Sequence, residues 1–514
     1  MRIKKIIIAA VAALSLTTAN AGGFLTNTNQ NVAFLRNPAR EGAIGIDGVY
    51  SNPAGVALLN DGFHLSLNWQ AAWQTRTINT TCPLFALGVQ NNGQTTKEFE
   101  GKANAPFVPS VQAAYNKNRW SFQFGFSITG GGGKCEFADG LGSFESAVGQ
   151  IANGMKAFGA QGYDANSYMQ GKQFYFGFTL GAAYKLIDEE KQKLSVFGGM
   201  RILYGNASYK AKVSDITVKT ENGMVPFSQF LDGANEYITT NLASIEENLP
   251  KVDAGIAQLE PVKTLPGYKE QYDQLVATKA QLEGAKAQLE GARPQVSALE
   301  VYRDGVNLQA NQKGVGFAPI IGIDYQIGNF NFAAKYDFRV KMSMENKSTI
   351  KEAMAIEAVN QFQDGTSIRE DSPALLALGA QWSIVPTVRV NAGYHHFYDK
   401  QSKKYANKQD LLSNGTNEYL GGIELDVTDR LTLSGGIQVT RYGLTDEYMS
   451  DLSFVTDSWS FGVGAKYKVS DKVAINAAYF QTNYDNYEMG NPATIANDFT
   501  RSNYVGGVGV ELTF

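Results

Sequence analysis

The stretch RWSFQFGFSIT sets Trp120, Phe122, Phe124, Phe126 and Ile128 at every second position. Ser121, Gln123, Gly125, Ser127 and Thr129 fill the positions between. Successive side chains on a strand point to opposite faces, so this pattern predicts a strand that is greasy on one side and polar on the other. From Phe330 the design recurs. Phe330, Phe332, Ala334, Tyr336, Phe338 and Val340 share one face, and Asn331, Lys335, Asp337, Arg339 and Lys341 share the other. Runs of this kind begin near Phe63, Phe107, Trp120, Phe174, Leu194, Val315, Phe330, Leu376, Val388, Tyr419, Leu431, Trp459, Val473 and Tyr504. That is fourteen strands of roughly ten or more residues, where soluble strands run to five or six.

The connections alternate as well. NKNR after Tyr115, DEEKQK after Ile187, GN after Ile327, VPT after Ile384, TDR after Val427 and SD after Val469 are tight, and the connections between them are long. Short turns on one rim and long loops on the other mark a transmembrane β-barrel. A β-sandwich would need a second sheet to cover each greasy face. The expected fold is therefore an all-β membrane fold, a 14-stranded antiparallel barrel with lipid on its outside. An even strand number brings Phe514 back to the rim where the barrel began, with Tyr504, Val508, Val510, Leu512 and Phe514 facing lipid.

Residues 1–21, MRIKKIIIAAVAALSLTTANA, combine basic Arg2, Lys4 and Lys5, a short apolar core and a small-x-small ending. This predicts a secretory signal peptide, since the apolar core is too short to span a bilayer. The net charge of -4 comes without a basic stripe and gives no reason to expect a nucleic-acid partner. Cys82 and Cys135 fall in neighbouring external connections and could pair in an oxidising compartment; two separate thiols are the alternative. His395 and His396 are adjacent on a strand, point to opposite faces and cannot chelate one ion together. No metal, cofactor or Ser-His-acid set is expected. The run GGGGKC, residues 130–135, has Cys135 where a phosphate loop needs Ser or Thr, and reads as a flexible loop after the third strand.

Fourteen strands enclose a lumen between the filled eight-stranded and the open sixteen-stranded sizes, so something must plug it. Residues 22–60 precede the first strand, are rich in Asn, Gln and Gly, and carry Asn37-Pro38 and Asn52-Pro53, which break helix and strand alike. They are expected to form an N-terminal hatch, with residues 61–514 as barrel. Residues 213–312 are expected as an insert in an outer loop. Ile238, Leu242, Ile245, Leu249, Val252, Ile256 and Leu259 fall at heptad spacing, interrupted by Pro250. AQLEGAK then repeats as AQLEGAR, with Leu275, Leu282 and Leu289 seven apart. The turn EPVKTLPGY between them makes an antiparallel helical hairpin. A second helical loop is expected over MENKSTIKEAMAIEAVNQF, with Ile350, Met354 and Ala358 on one face.

Gly23-Phe24, then EGAI at Glu41 to Ile44, then SNPAG around Asn52, Pro53 and Ala54 resemble the N-terminal hatch of the outer-membrane long-chain fatty-acid transporter family, of the FadL/TodX type. Fourteen strands is also that family's number. The resemblance implies passive, hatch-gated uptake of hydrophobic molecules in the outer membrane of a Gram-negative bacterium, with the ligand leaving sideways through the barrel wall near the third strand. It implies no enzymatic activity. By position it puts Gly23, Phe24 and Leu25 at the tight ligand site and Asn52, Pro53 and Ala54 near the wall gap. Gly125, midway along the third strand, is the candidate kink. The aromatic terminal strand looks like the signal that outer-membrane assembly machinery reads. A fatty-acid ligand needs a lumen cation, and strand parity offers Arg76, Arg201, Arg339 and Lys341; pairing with hatch or loop acids is the alternative for each. The hairpin, residues 236–300, is long for the family and leaves two other functions open: binding of a surface partner or adhesion, and transport of aromatic hydrocarbons.

Overall fold

The computed structural model describes residues 27–350 and 361–514. The expected signal peptide, Gly23, Phe24 and Leu25, and Met354 and Ala358 lie outside these residues.

Fourteen long strands close into an antiparallel barrel. They are β1 (Gly62–Thr81), β2 (Thr96–Lys117), β3 (Trp120–Phe137), β4 (Gly162–Asp188), β5 (Gln192–Thr220), β6 (Val306–Ile327) and β7 (Phe330–Asp337), followed by β8 (Leu375–Val385), β9 (Val388–Phe397), β10 (Thr416–Asp426), β11 (Leu431–Arg441), β12 (Ser458–Ser470), β13 (Val473–Tyr484) and β14 (Ile495–Thr513). Every run read from the sequence begins in one of them. Closure is between β1 and β14, from His64 opposite Thr513 to Thr81 opposite Ala496. Phe63 and Phe514 exchange backbone hydrogen bonds at 3.0 and 2.9 Å, so neither end leaves an open edge. Trp69, Trp73, Phe122, Phe178, Phe317, Phe332, Ile437, Trp459 and Phe514 are exposed on the outer face. This band is the surface a bilayer covers, and it makes the chain an outer-membrane barrel. Asn118 and Gly328 open two of the tight turns in the left-handed conformation that such turns demand.

Residues 27–59 run inside the barrel as short helical turns, including α1 (Val32–Arg36). The wall makes room for them with glycine. A Cβ at Gly436 would stand 2.7 Å from Pro38 Cδ, and one at Gly464 would stand 2.7 Å from Arg36 Cβ. Polar lumen residues then hold the hatch. Glu424 accepts from Arg36 Nη1 at 2.9 Å and from Arg40 Nη1 at 3.0 Å. The two ring nitrogens of His395 face Glu41 at 2.8 Å and Glu418 at 2.7 Å, while His396, on the opposite face, meets Asn417. The EG of EGAI thus has a physical reading. Glu41 reaches His395, and Gly42 lies against the β8 backbone, where a Cβ would be 2.5 Å from the carbonyl carbon of Ala380.

Outside the membrane, the loops pack a second core around Phe85, Phe99, Leu141, Phe144 and Ile151, with α2 (Gly142–Gly154) lying across it. The helical hairpin is α3 (Phe227–Leu259) and α4 (Lys269–Leu299). Its base, through Leu231, Ile238, Val296 and Leu299, is buried in the same core. Pro250 does not stop α3, which runs through it. The insert is narrower than its sequence pattern suggests. Strand β5 continues to Thr220 and β6 begins at Val306, with Val213 paired to Val306. The second helical loop is corrected in its first half: Ser343–Ile350 is a strand that pairs with β6 from Leu308 to Lys313. The greasy alternation beyond Asp337 is not strand either. Pro319 stands opposite Phe338 and has no N–H to return, so the β6–β7 ladder ends at Ile320 opposite Asp337.

Candidate functional site

Strand β2 carries two prolines, Pro106 and Pro109, and β3 carries the glycine run 130–133. Proline cannot donate to a ladder, and glycine weakens one. The two features meet. Pairing between β2 and β3 holds from Lys117 opposite Trp120 to Val111 opposite Phe126, and resumes only at Asn104 opposite Lys134. Residues 105–110 and 127–133 therefore face each other unpaired, and the barrel wall has an interruption. On the other side of β3, the register to β4 slips between Ile128 and Gly130 and again between Gly131 and Gly133. Gly131 has φ of +70°. Phe107, 67 % exposed, stands at the outer lip, and Trp69 Nε1 donates to the Pro106 carbonyl at 2.9 Å.

The start of the described hatch covers the interruption from inside. The Asn27 backbone N–H donates to the Thr129 carbonyl at 2.9 Å. Asn27 Nδ2 donates to the carbonyls of Gly131 at 2.7 Å and Ile128 at 3.3 Å. Tyr50 Oη donates to the Asn27 carbonyl at 2.7 Å, and Ser110 and Gln112 on β2 both donate to the Gln30 carbonyl. Residues 27–30 thus satisfy polar groups on both lips of the gap.

A cavity of about 260 Å³ lies beside this seal. Its wall includes Asn27 and Gln30, the gap residues Val108, Ile128 and Gly131, and apolar Phe34, Val455, Phe480 and Val505. Arg76 and Arg501, directly opposite each other on β1 and β14, also line it. Arg76 Nε donates to Gln74 Oε1 at 3.1 Å, and its guanidinium lies 5.7 Å from the ring of Phe454. The Arg501 guanidinium lies 4.6 Å from the ring of Tyr484, and its buried Nε has no acceptor. Among the described residues, neither has a carboxylate within 4.0 Å. Two adjacent guanidiniums thus face a half-open, part-apolar chamber, and such a pair can accept an anionic group.

Of the other cations proposed from parity, the two arginines are engaged. Arg201 is buried against Asp337 at 2.8 Å and lies over the Tyr50 ring. Arg339 and Lys341 stand past the end of β7, not on it. Arg339 donates to the Gln401 carbonyl and is 3.6 Å from Asp371, and Lys341 is exposed. Asn52, Pro53 and Ala54 do not touch the gap. Asn52 Nδ2 donates to Asp324 at 2.6 Å, Gln123 Nε2 to the Pro53 carbonyl at 2.7 Å, and Ser195 Oγ to the Ala54 carbonyl at 2.7 Å. The motif pins the hatch to β3, β5 and β6 on the turn side of the gap. Gly125 is not the kink. It pairs regularly with Gln112 and Thr179, and the distortion begins three residues later. Cys82 and Cys135 are free thiols. Cys82 is buried in the outer core, and Cys135 lies on β3, not in a loop, at the edge of the chamber. Among the described residues no group of His, Cys, Asp or Glu is arranged to hold a metal ion.

A closed barrel of fourteen strands with an N-terminal hatch is the FadL-type fold. No protein-family model matches this sequence, and no curated protein matches it. Solved structures do. A Pseudomonas aeruginosa FadL homologue superposes with a TM-score of 0.56 at 11% identity, covering 96% of this chain and 100% of the other. The Pseudomonas putida toluene transporter TodX gives 0.51 at 12%, covering 96% and 100%. The Ralstonia pickettii toluene transporter TbuX gives 0.50 at 11%, covering 96% and 99%. At these identities the likeness is one of fold.

Proposed function

We propose that this protein is an outer-membrane channel for hydrophobic molecules carrying an anionic head, with long-chain fatty acids as the substrate class. The observation that carries the reading is the continuity of one chamber with Arg76 and Arg501, the hatch seal at Asn27, and the unpaired stretch of wall. A fatty acid gains roughly 0.8 kcal/mol for each CH₂ taken from water, and a water-filled pore would forfeit that. Here the tail meets Phe34, Val455 and Phe480 while the carboxylate meets two guanidiniums. Release of Asn27 from β3 then opens the gap between β2 and β3 toward the bilayer. The tail passes from the apolar side of the chamber to lipid without crossing water. The toluene channels of this fold have an uncharged ligand, which would make no use of paired arginines. Initial uptake of radiolabelled oleate and of toluene by cells lacking the chromosomal copy separates the two. Complementation should restore oleate uptake, and R76Q/R501Q should lower it while toluene is unaffected. Equal oleate uptake by the double variant would sink the fatty-acid reading.

A further inference from the structure

Strands β2 to β6 rise well beyond the lipid band; β5 alone has 29 residues. Their outward faces change character abruptly. On β4 the outward series Leu180, Phe178, Phe176, Phe174 is followed by Lys172. On β6, Ile321, Phe317 and Val315 are followed by Lys313. On β5, Tyr204 is followed by Asn206, Ser208 and Lys210. The last apolar row is an aromatic girdle: Phe176 stacks with Phe126 at 6.4 Å, Phe174 at 5.8 Å and Tyr204 at 6.3 Å. Lys172 sits one outward position past it, its Nζ 5.5 Å from the Phe174 ring.

Lys134, Lys172 and Lys210 are neighbours across the sheet, and Lys313, opposite Asn206 on β5, stands four positions from Lys210 with Lys347 beyond it. Lys134 on β3 is directly opposite Lys172 on β4, an arrangement that costs stability unless a counter-charge is present. Lys172 is opposite Ser208, which places Lys210 on the diagonal. Lys347, opposite Asn311, is diagonal to Lys313. Acids share the surface: Glu136, which pairs with Lys134, Glu345, opposite Lys313, and on β2 the exposed Glu98 and Glu100, the latter paired with Lys102 at 3.0 Å. Among the described residues, Lys172, Lys210, Lys313 and Lys347 have no carboxylate within 4.0 Å. The far side of the barrel differs. There the outward Arg441 is 3.7 Å from Asp457 and 3.8 Å from Asp485.

We propose that this lysine belt binds a phosphorylated glycolipid of the outer leaflet, with the acyl chains on the aromatic girdle and the phosphates on Lys134, Lys172, Lys210 and Lys313. Continuity with the lipid-covered band selects an amphiphile over a free anion. A soluble phosphate has nothing to place against Phe174, Phe176 and Tyr204. Charge complementarity supplies the rest, since four ammonium groups stand just where a membrane-embedded lipid carries its headgroup. The inference is independent of what the lumen transports.

Native mass spectrometry of the full chain in detergent tests it, using bisphosphorylated lipid A, the same lipid A stripped of phosphate, and inorganic phosphate as separate probes. Heat-modifiable gel migration checks that each variant is folded. The wild type should retain one bisphosphorylated lipid A, and K172Q/K210Q/K313Q should weaken it at least tenfold. K279Q/K286Q, on the distant hairpin, should leave it unchanged. Equal retention of the dephosphorylated lipid, or an unaffected triple variant, would overturn the proposal. Inorganic phosphate bound at millimolar concentration as tightly as the lipid would overturn the lipid as its source.

Discussion

Asn27 and Gly131 are joined by a 2.7 Å hydrogen bond from the amide nitrogen of one to the carbonyl of the other, across the point where β2 deserts β3. A hatch residue therefore occupies an acceptor on a stretch of strand that its neighbour does not pair. The bond is local, and its loss leaves the rest of the hatch anchored through Glu424, His395 and Asp324. Asn27→Ala removes two side-chain bonds worth about 1 kcal/mol each. The sealed state should lose roughly tenfold or more in population. Amide hydrogen exchange over residues 127–133 should quicken by that factor, and oleate uptake should rise. Unchanged exchange would show that Asn27 is not the latch.

The arginine pair gives a sharper test of ligand chemistry. A hydrogen bond to a charged group is worth about 1.5–3 kcal/mol, so replacing one guanidinium should weaken oleate binding roughly 10- to 100-fold. Arg501→Gln and Arg76→Gln should each do so in a fluorescent fatty-acid displacement assay. The methyl ester of oleate should bind wild type and variants alike. Arg201→Gln is the contrast. Its partner is Asp337, so it should lower thermal stability by leaving a buried carboxylate unpaired.

Which of these features could be read from the chain alone follows from their range. The strands were legible because each lipid-facing residue, such as Phe122 or Phe332, declares itself by alternation with its own neighbours. The hatch was legible because it had to fill a lumen of that width. The gap was not, although both halves were visible. Pro106 and Pro109 break β2 and the glycine run breaks β3, but only the register of Val111 with Phe126 brings the breaks together. Arg501 was missed because the greasy alternation begins at Tyr504, while the strand begins at Ile495 and carries polar residues over its outer half. Arg201 was misread for want of its partner, 136 residues away.

Restoring what the prolines remove should close the wall. Val at positions 106 and 109 would supply the missing N–H groups and a good strand former. P106V/P109V should extend the β2–β3 ladder and protect residues 105–110 from exchange. Oleate should still bind at the arginine pair, but its transfer to the bilayer should fall severalfold. Retained transfer with a protected ladder would rule out a sideways exit at this point.

The outer cap should respond to pH through Asp399, in the loop after β9. Burial raises its carboxyl from the ordinary 3.8 to about 6, opposed by hydrogen bonds from Thr416 and by the charges of Lys404 and His396. The folded loop thus holds a proton that the unfolded chain gives up. Its contribution is complete below about pH 4 and is lost as pH rises through about 6. Proteolysis within residues 398–416 should be slower at pH 5 than at pH 7.5. Asp399→Asn, permanently uncharged, should flatten the difference.

Gly462 tests whether the stopper depends on the fit of its seat. A Cβ on Gly462 would overlap the Leu35 carbonyl oxygen of the hatch, while the Phe480 ring of the wall stands 3.0 Å away, and the neighbouring Arg36 guanidinium is committed to Glu424 at 2.9 Å, so the hatch cannot shift aside without breaking that pair. A larger side chain therefore has two outcomes in conflict, a steric clash or a buried charge left without a partner, and either costs several kcal/mol. The barrel itself is closed by its own ladders and does not require the hatch. Gly462→Val should accordingly leave the barrel folded, with normal heat-modifiable migration, while the hatch loosens. Cells carrying it should become sensitive to large hydrophilic antibiotics that the wild type excludes, and planar bilayers should show water-filled conductance. Gly506→Val is the control, because nothing lies within 4 Å of its Cβ position. A tight barrel in the Gly462 variant would mean that the hatch is held by its other anchors alone.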